Sequence, residues 1–141
     1  TAPQVASENN GTWSIGYNSD MSKETPNATI TSVIWNWGAY YTSYVNSIIN
    51  GDYDGENYYS GMDQSLVGLT SLSDLCAEGT AEIVSEESQK IISGEYNVFD
   101  GELKTNEGKT VGKKGETLDD ATITGGINWY YHNVAEVDWK K

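Results

Sequence analysis

The chain contains no arginine: all eight of its basic residues are lysines, against 21 aspartates and glutamates, for a formal charge of −13. Without the guanidinium fork it lacks the group best shaped for two-point recognition of phosphates and carboxylates. A field this negative also repels nucleic acid and anionic membrane surfaces, so a neutral ligand fits better than an anionic one. Cysteine is nearly missing. Cys76 stands alone, which excludes an intrachain disulfide, leaves the compartment open and is expected as a buried thiol. No run approaches the roughly 20 apolar residues of a membrane helix. Residues 1–10, TAPQVASENN, lack the basic and apolar regions of a signal peptide, so any export address is expected upstream of this sequence.

Signatures of catalysis are scarce too. The single histidine, His132, lies in the string WYYHN with no adjacent nucleophile pattern, and a lone histidine on an aromatic face is more often a packing or surface residue. HExxH, CxxC, P-loop and GxGxxG patterns do not occur, so zinc, nucleotide-phosphate and dinucleotide chemistry have no support. Carboxylate neighbours such as Glu86 with Glu87, or Asp119 with Asp120, point apart on a helix and read as solvated acids. The stretch GDYDGEN, residues 51–57, alternates acids with glycine but lacks the full calcium-ligand series and its terminal glutamate, so a solvated turn is expected. Two sequons, at Asn10 and Asn27, fall in expected loops, and chance explains them in a chain rich in Asn and Thr. No metal, no cofactor and no enzymatic activity are expected.

What is present is aromatic. Ten tyrosines and five tryptophans stand against one phenylalanine, a bias toward side chains with an apolar body and a polar tip, suited to ligand or partner surfaces and equally to half-buried packing. With 141 residues, 37% of them apolar, the length is that of one ordinary domain.

Residues 2–10 are expected to hold a short helix, and WSIGYN, residues 13–18, a buried strand stopped by Asn18, Ser19 and Asp20. ITSVIWN, residues 30–36, is β-branched and apolar. After Gly38 the period changes to helical, with Tyr41, Tyr44, Val45, Ile48 and Ile49 on one face, and Asn50 with Gly51 closes that helix. Short strand or loop pieces follow at NYYSGM and SLVGLT, then a second helical pattern over residues 73–93, ended by Gly94. Residues 96–117 read as a hairpin-rich surface excursion with turns at Asp100-Gly101 and around Asn106 and Gly108. A last helix is expected with Ile123, Ile127, Trp129, Tyr130 and Val134, capped by Thr117, Asp119 and Asp120 and weakened by Gly125 and Gly126. Strands alternating with helices predict an α/β layer arrangement, in which ligands sit at the carboxyl ends of the strands.

Four residues at two such ends are candidates for ligand contact. Asp20 follows an apolar strand directly rather than lying in a charge run. Its carboxylate serves either as an acceptor for ligand hydroxyl, amine or ring N–H groups or as the anchor of an Asx-type turn. Asn18 precedes it. Trp35 and Trp37 alternate, which puts them on opposite faces if the strand continues that far, one for the core and one for a ligand.

The segments TAPQVA, WSIGYNSDM, TSVIWNWGAYY, YYSGM, IISGEYNVFDGELKTNEGK and NWYYHNV together resemble the basic membrane protein family of ABC-transporter substrate-binding lipoproteins, which includes purine nucleoside receptors. The WNWG string with its Tyr pair is similar to a branch associated with purine bases such as adenine. The resemblance implies a partial type I periplasmic-binding-protein fold: the C-terminal portion, a parallel sheet flanked by helices with a hairpin excursion, completed by dimerisation or strand exchange. Residues 1–141 would be a C-terminal fragment of a two-lobe protein, with 1–94 the ligand-cleft part and 95–141 the hairpin and closing helix. The implied partners are a small purine ligand, the permease of the importer, the absent N-terminal lobe and a second copy of the chain, with no nucleic acid. The implied location is extracytoplasmic, anchored through a lipoprotein cysteine upstream. The family's ligand-facing acid falls on Asp20, with Asn18 at the first acidic place of that pattern. Trp35 stands where the nucleoside-binding branch has a lysine, which exchanges a polar contact for a stacking face. The alternatives are a carbohydrate-binding module built on a Tyr and Trp platform, and a hydrolase using acids and His132.

Overall fold

The computed structural model describes residues 1–135. It forms two compact units, Thr1–Ser93 and a second that begins at Gly94. Residues 136–141, the end of the expected closing segment, lie outside the described residues.

In the first unit, helix α1 (Ala2–Asn9) opens with Pro3 in its first turn, where no N–H partner is needed, and it packs on strand β1 (Ser14–Asn18). β1 runs parallel to β2 (Thr29–Trp35), and β3 (Val67–Leu69) joins the other edge of β2 antiparallel, so the sheet order is β1-β2-β3. The sheet is therefore only part parallel, and the third strand takes the reversed direction. β1 returns to the start of β2 through residues 19–28 with no intervening helix, a short crossover for a parallel pair. Hydroxyl groups hold it. Thr25 Oγ1 and Thr29 Oγ1 lie 2.7 Å apart, fully enclosed, while Thr31 Oγ1 donates to Thr70 O at 2.9 Å across to the segment after β3.

The interior is small and unusually polar. Its buried apolar residues are Ala28 and Leu66, and the largest fully buried side chains are Thr25, Thr29 and Ser32. Large apolar groups lie outside instead: Ile15 is 56% exposed, Tyr17 66% and Ile49 75%. Parallel register aligns Ile15 with Thr31 and Tyr17 with Val33, and antiparallel register aligns Val33 with Leu69, so these residues share one face of the sheet.

Helix α2 (Trp37–Asn50) follows β2 at once and stops at Gly51, whose φ of 79° supplies the left-handed cap that an L side chain resists. Helix α3 (Thr80–Ile92) is shorter than the helical pattern over residues 73–93, because Gly79 at φ 83° sets its start. Glu82 in its first turn and Lys90 in its last suit the helix dipole. Neither helix buries a single residue.

The second unit centres on the hairpin of β4 (Leu103–Lys104) and β5 (Thr110–Val111), with Asn106 and Gly108 in the connecting turn. Here the expected last helix gives way. Only one π-helical turn forms, Thr122–Gly126, and the chain is extended by Ile127. The Gly125-Gly126 pair raises the entropy cost of continuing the helix, and a competing pairing takes the backbone groups. Tyr131 bridges to Thr105, Asn106 N donates to Tyr130 O at 2.8 Å, and His132 N donates to Lys104 O at 2.9 Å. Trp129 and Tyr130 thus flank a strand-like segment rather than a helix face. Of the three expected capping residues it is Asp119 whose side chain bonds the turn: Thr122 N donates to Asp119 Oδ1 at 2.7 Å, which holds that carboxyl below its ordinary range, while the Thr117 hydroxyl bonds Asp100.

Candidate ligand-binding site

β1 ends at Asn18, whose φ of 75° lies in the left-handed region that asparagine tolerates better than most residues. The reversal exposes the next residues. Asp20 is solvent-exposed, and its Oδ1 accepts the backbone N–H of Ser22 at 2.9 Å, so the Asx-turn alternative is realised. That backbone N–H, helped by the Ser22 side chain and the charge of Lys23, holds the Asp20 carboxyl below its ordinary range. A carboxylate offers about four lone-pair sites, so the turn leaves acceptor capacity for another donor.

The two peptides that follow Asp20 are held. Met21 N donates to Ser32 Oγ at 3.1 Å, and Met21 O accepts from Thr25 N at 3.1 Å and from Thr25 Oγ1 at 3.2 Å. The register pairs Asn18 with Ile34, so Trp35 lies one residue further along the neighbouring parallel strand. The register of β1 and β2 is what brings Asn18, Asp20 and Trp35 to one edge of the sheet, the carboxyl ends of both strands, where open α/β sheets bind ligands. A shallow cavity of about 340 Å³ lies beside the crossover, lined by Ser22, Thr29, Thr31 and Ser73 among others, and includes none of the four candidates.

The tryptophans are not divided between two faces. β2 stops at Trp35 and α2 begins at Trp37, so strand alternation does not reach the second indole. Asn36 lies between them at φ −90°, ψ 73°, with its N–H on Leu66 O at 2.7 Å. This bend turns the two rings together: their centroids are 5.8 Å apart and their planes 21° from parallel. Trp35 is half-buried and Trp37 47% exposed, so neither is a core residue.

From Trp37 an aromatic array continues along α2. Tyr40 meets Trp37 edge-on at 6.2 Å, touches Tyr44 at 5.7 Å and lies 4.6 Å from Tyr58 in the loop after the helix. Tyr44 meets Tyr53 edge-on at 4.9 Å, and the neighbouring Tyr44 hydroxyl raises the Tyr53 phenol above its ordinary value. Sequence reasoning passed over Tyr40, Tyr53 and Tyr58. The signal for Tyr40 was its spacing of four from Tyr44, whereas Tyr53 and Tyr58 meet the helix only through loop geometry. In the second unit, the exposed His132 has its ring 4.3 Å from Tyr131 and its backbone tied to β4.

Strand ends that carry a carboxylate and a stacked indole pair, on a partly parallel sheet with helices around it, form a candidate ligand-binding edge. A family model, Bmp, described as ABC transporter substrate-binding protein PnrA-like, matches residues 2–102, and the chain belongs to this family. It is 32% identical, over 140 residues, to a purine-binding protein of Brucella abortus, an alignment that takes in 99% of this chain and 39% of that protein. It is 23% identical over 96 residues to a protein of Haloferax volcanii named for glucose binding in an ABC transporter, covering 68% of this chain and 25% of the relative. The chain thus spans well under half the length of the curated relatives it matches. Its fold is similar to that of a transcriptional activator of the comK gene from Bacillus halodurans, with a TM-score of 0.60 at 18% identity over 67% of this chain and 34% of the other. Both curated relatives are solute-binding proteins by name. Substrate-binding proteins of ABC transporters work outside the cytoplasm, and among the described residues no helix is long and apolar enough to cross a membrane.

Proposed function

We propose that the chain is the C-terminal portion of a two-lobe solute-binding protein that captures a purine base or nucleoside for an ABC importer, without catalysis of its own. The observation that carries this is the alignment of nearly the whole chain with a purine-binding protein, at 32% identity. The site chemistry agrees. Stacked indoles favour a flat neutral ring, since a buried aromatic pair contributes about 1 kcal/mol beyond its area. Asp20 accepts hydrogen bonds from ring N–H or amino groups, Asn18 supplies an amide beside it, Trp35 stacks on the ligand and Trp37 backs it as a wall.

The other half of the cleft belongs to polypeptide that the longer relatives have and this chain does not cover. That polypeptide, or a second copy of the chain, covers the open apolar face around Ile15 and Tyr17. The intact protein is anchored outside the cell membrane through an upstream lipidated cysteine and delivers its ligand to the importer's permease.

A sugar is the second reading, favoured by the glucose-binding name of one relative and by the exposed tyrosines, whose faces also suit pyranose rings. Isothermal titration of the full-length protein with adenine, guanosine and glucose separates the two. Heat with a purine and none with glucose is expected, and the reverse overturns the purine assignment.

A further inference from the structure

Ser32 sits mid-strand in β2 and is wholly enclosed, with 0% of its surface exposed. A buried hydroxyl is costly unless it is bonded, so its presence where alanine would fit calls for a partner. That partner is not in the sheet ladder. It is Met21 N, 3.1 Å away in the crossover, in the residue directly after Asp20. Gly16 makes this reach possible. It lies opposite Ser32 in the β1–β2 register, and a Cβ added to it would overlap Ser32 Oγ. Only a residue without a side chain leaves the notch through which the hydroxyl passes under β1 to the turn. Ser32 itself is held from the far side, its N–H donating to Thr70 Oγ1 at 2.8 Å and its carbonyl accepting from Thr70 N at 2.9 Å.

We propose that Ser32 is the positioning residue of the strand-end site, its hydroxyl seated in the Gly16 notch and fixing the turn that presents Asp20. This rests on Asp20 being the ligand acceptor assigned above. The turn needs such a device. It starts from a left-handed Asn18, a conformation that costs energy for a residue with a side chain even where asparagine tolerates it. It also carries an exposed carboxylate whose aim depends on the Ser22 N–H lying on Oδ1. With Ser32 on the Met21 amide and Thr25 on its carbonyl, the two consecutive peptide planes after Asp20 are set, the second of them carrying the Ser22 N–H, so the carboxylate meets a ligand already oriented.

The test uses the full-length protein and Ser32→Ala, with Ser32→Cys, which keeps the side-chain shape at a somewhat larger volume and offers only a weak acceptor, as the variant to fall back on if alanine does not fold. The first readout needs no ligand: the Asp20 carboxyl is titrated by NMR. An Asp20 titration that moves up toward the ordinary carboxylate value in the variant is expected, since the Ser22 N–H is no longer held on Oδ1. An unchanged titration overturns the proposal. The second is a double-mutant cycle in adenine affinity. Ser32→Ala is expected to weaken binding about tenfold in the native background and to cost nothing further in an Asp20→Ala background, while lowering thermal stability equally in both. An equal loss of affinity in both backgrounds identifies a merely structural serine and overturns the proposal. If the native protein gives no heat with adenine and the Asp20 titration still responds to Ser32→Ala, the positioning stands and the purine assignment falls.

Discussion

Trp35, the last residue of β2, and Trp37, the first of α2, stack on each other with centroids 5.8 Å apart and planes 21° from parallel. Each indole is the other's wall. A ring already held by a neighbour loses little freedom when a ligand arrives, so more of the stacking energy appears as affinity. Tyr40 and Tyr41 extend the support, at 6.2 and 6.4 Å from Trp37.

Replacing either tryptophan by alanine in the full-length protein therefore removes both a stacking face and the support of its partner. Each single change is expected to weaken purine binding about tenfold, and the double change by less than the product of the two, because neighbouring groups couple. Titration calorimetry on the three variants checks this. Independent, multiplicative losses would mean that the two rings do not act together.

The pH response of binding follows from Asp20. The Ser22 N–H lowers its carboxyl below the ordinary value of 3.8, so the folded protein keeps the charge to lower pH than the unfolded chain does. The contribution of this bond to stability is fully present above that ordinary value and is lost as pH falls through the lowered folded value. Purine affinity is accordingly expected to stay level through the neutral range and to drop only in strong acid. Asp20→Asn is expected to bind more weakly at neutral pH and to lack the part of the acid fall that Asp20 causes, as compared by titration across pH.

Gly16→Ala tests the notch under β1. The added methyl overlaps Ser32 Oγ and approaches Met21, so the serine must turn away or the strands must part. Overpacking of this kind costs about 1–3 kcal/mol. A loss of that size in chemical denaturation is expected, against a small effect for Gly68→Ala in β3, where an added Cβ meets nothing within 4 Å. Equal stability of native and Gly16→Ala proteins would contradict the close approach.

Charge predicts a salt response. The net −13 already counts every lysine, and among the described residues exposed pairs such as Lys90 with Glu87, Lys109 with Glu107 and Lys113 with Glu116 contribute little individually. Self-repulsion then opposes the compact state, and screening relieves it. Raising salt from about 0.01 M to about 1 M shortens the screening length from roughly 30 Å to 3 Å. The melting temperature is expected to rise over that interval. A flat or falling curve would show that the acids are not acting against one another.

Much of the local structure was legible. Both long helices, the stop at Gly51, the two main strands and the cap at Asp119 follow from period, β-branching and terminal residue types, all of which act within a few positions of the chain. The closing helix was not. Its apolar residues carried a helical period, but Tyr131 found a partner in Thr105, distant in sequence, and the Gly125-Gly126 pair made the alternative easy. The site was legible in its residue types and not in its arrangement. Strand alternation put Trp35 and Trp37 on opposite faces, and the bend at Asn36, tied to Leu66, put them together.

By itself the sequence determined the α/β alternation, the acidic and arginine-free surface, the aromatic strand-to-helix junction and the resemblance to solute-binding proteins, because each is written in residue types or short-range spacing. Only the tertiary structure decided that β3 runs antiparallel, that the Ser32 hydroxyl passes Gly16 to reach Met21, and that Asn18, Asp20 and Trp35 share one sheet edge. Those relationships join residues up to several tens of positions apart. Strand register sets them, and register is chosen by the packing of the whole sheet rather than by any one segment.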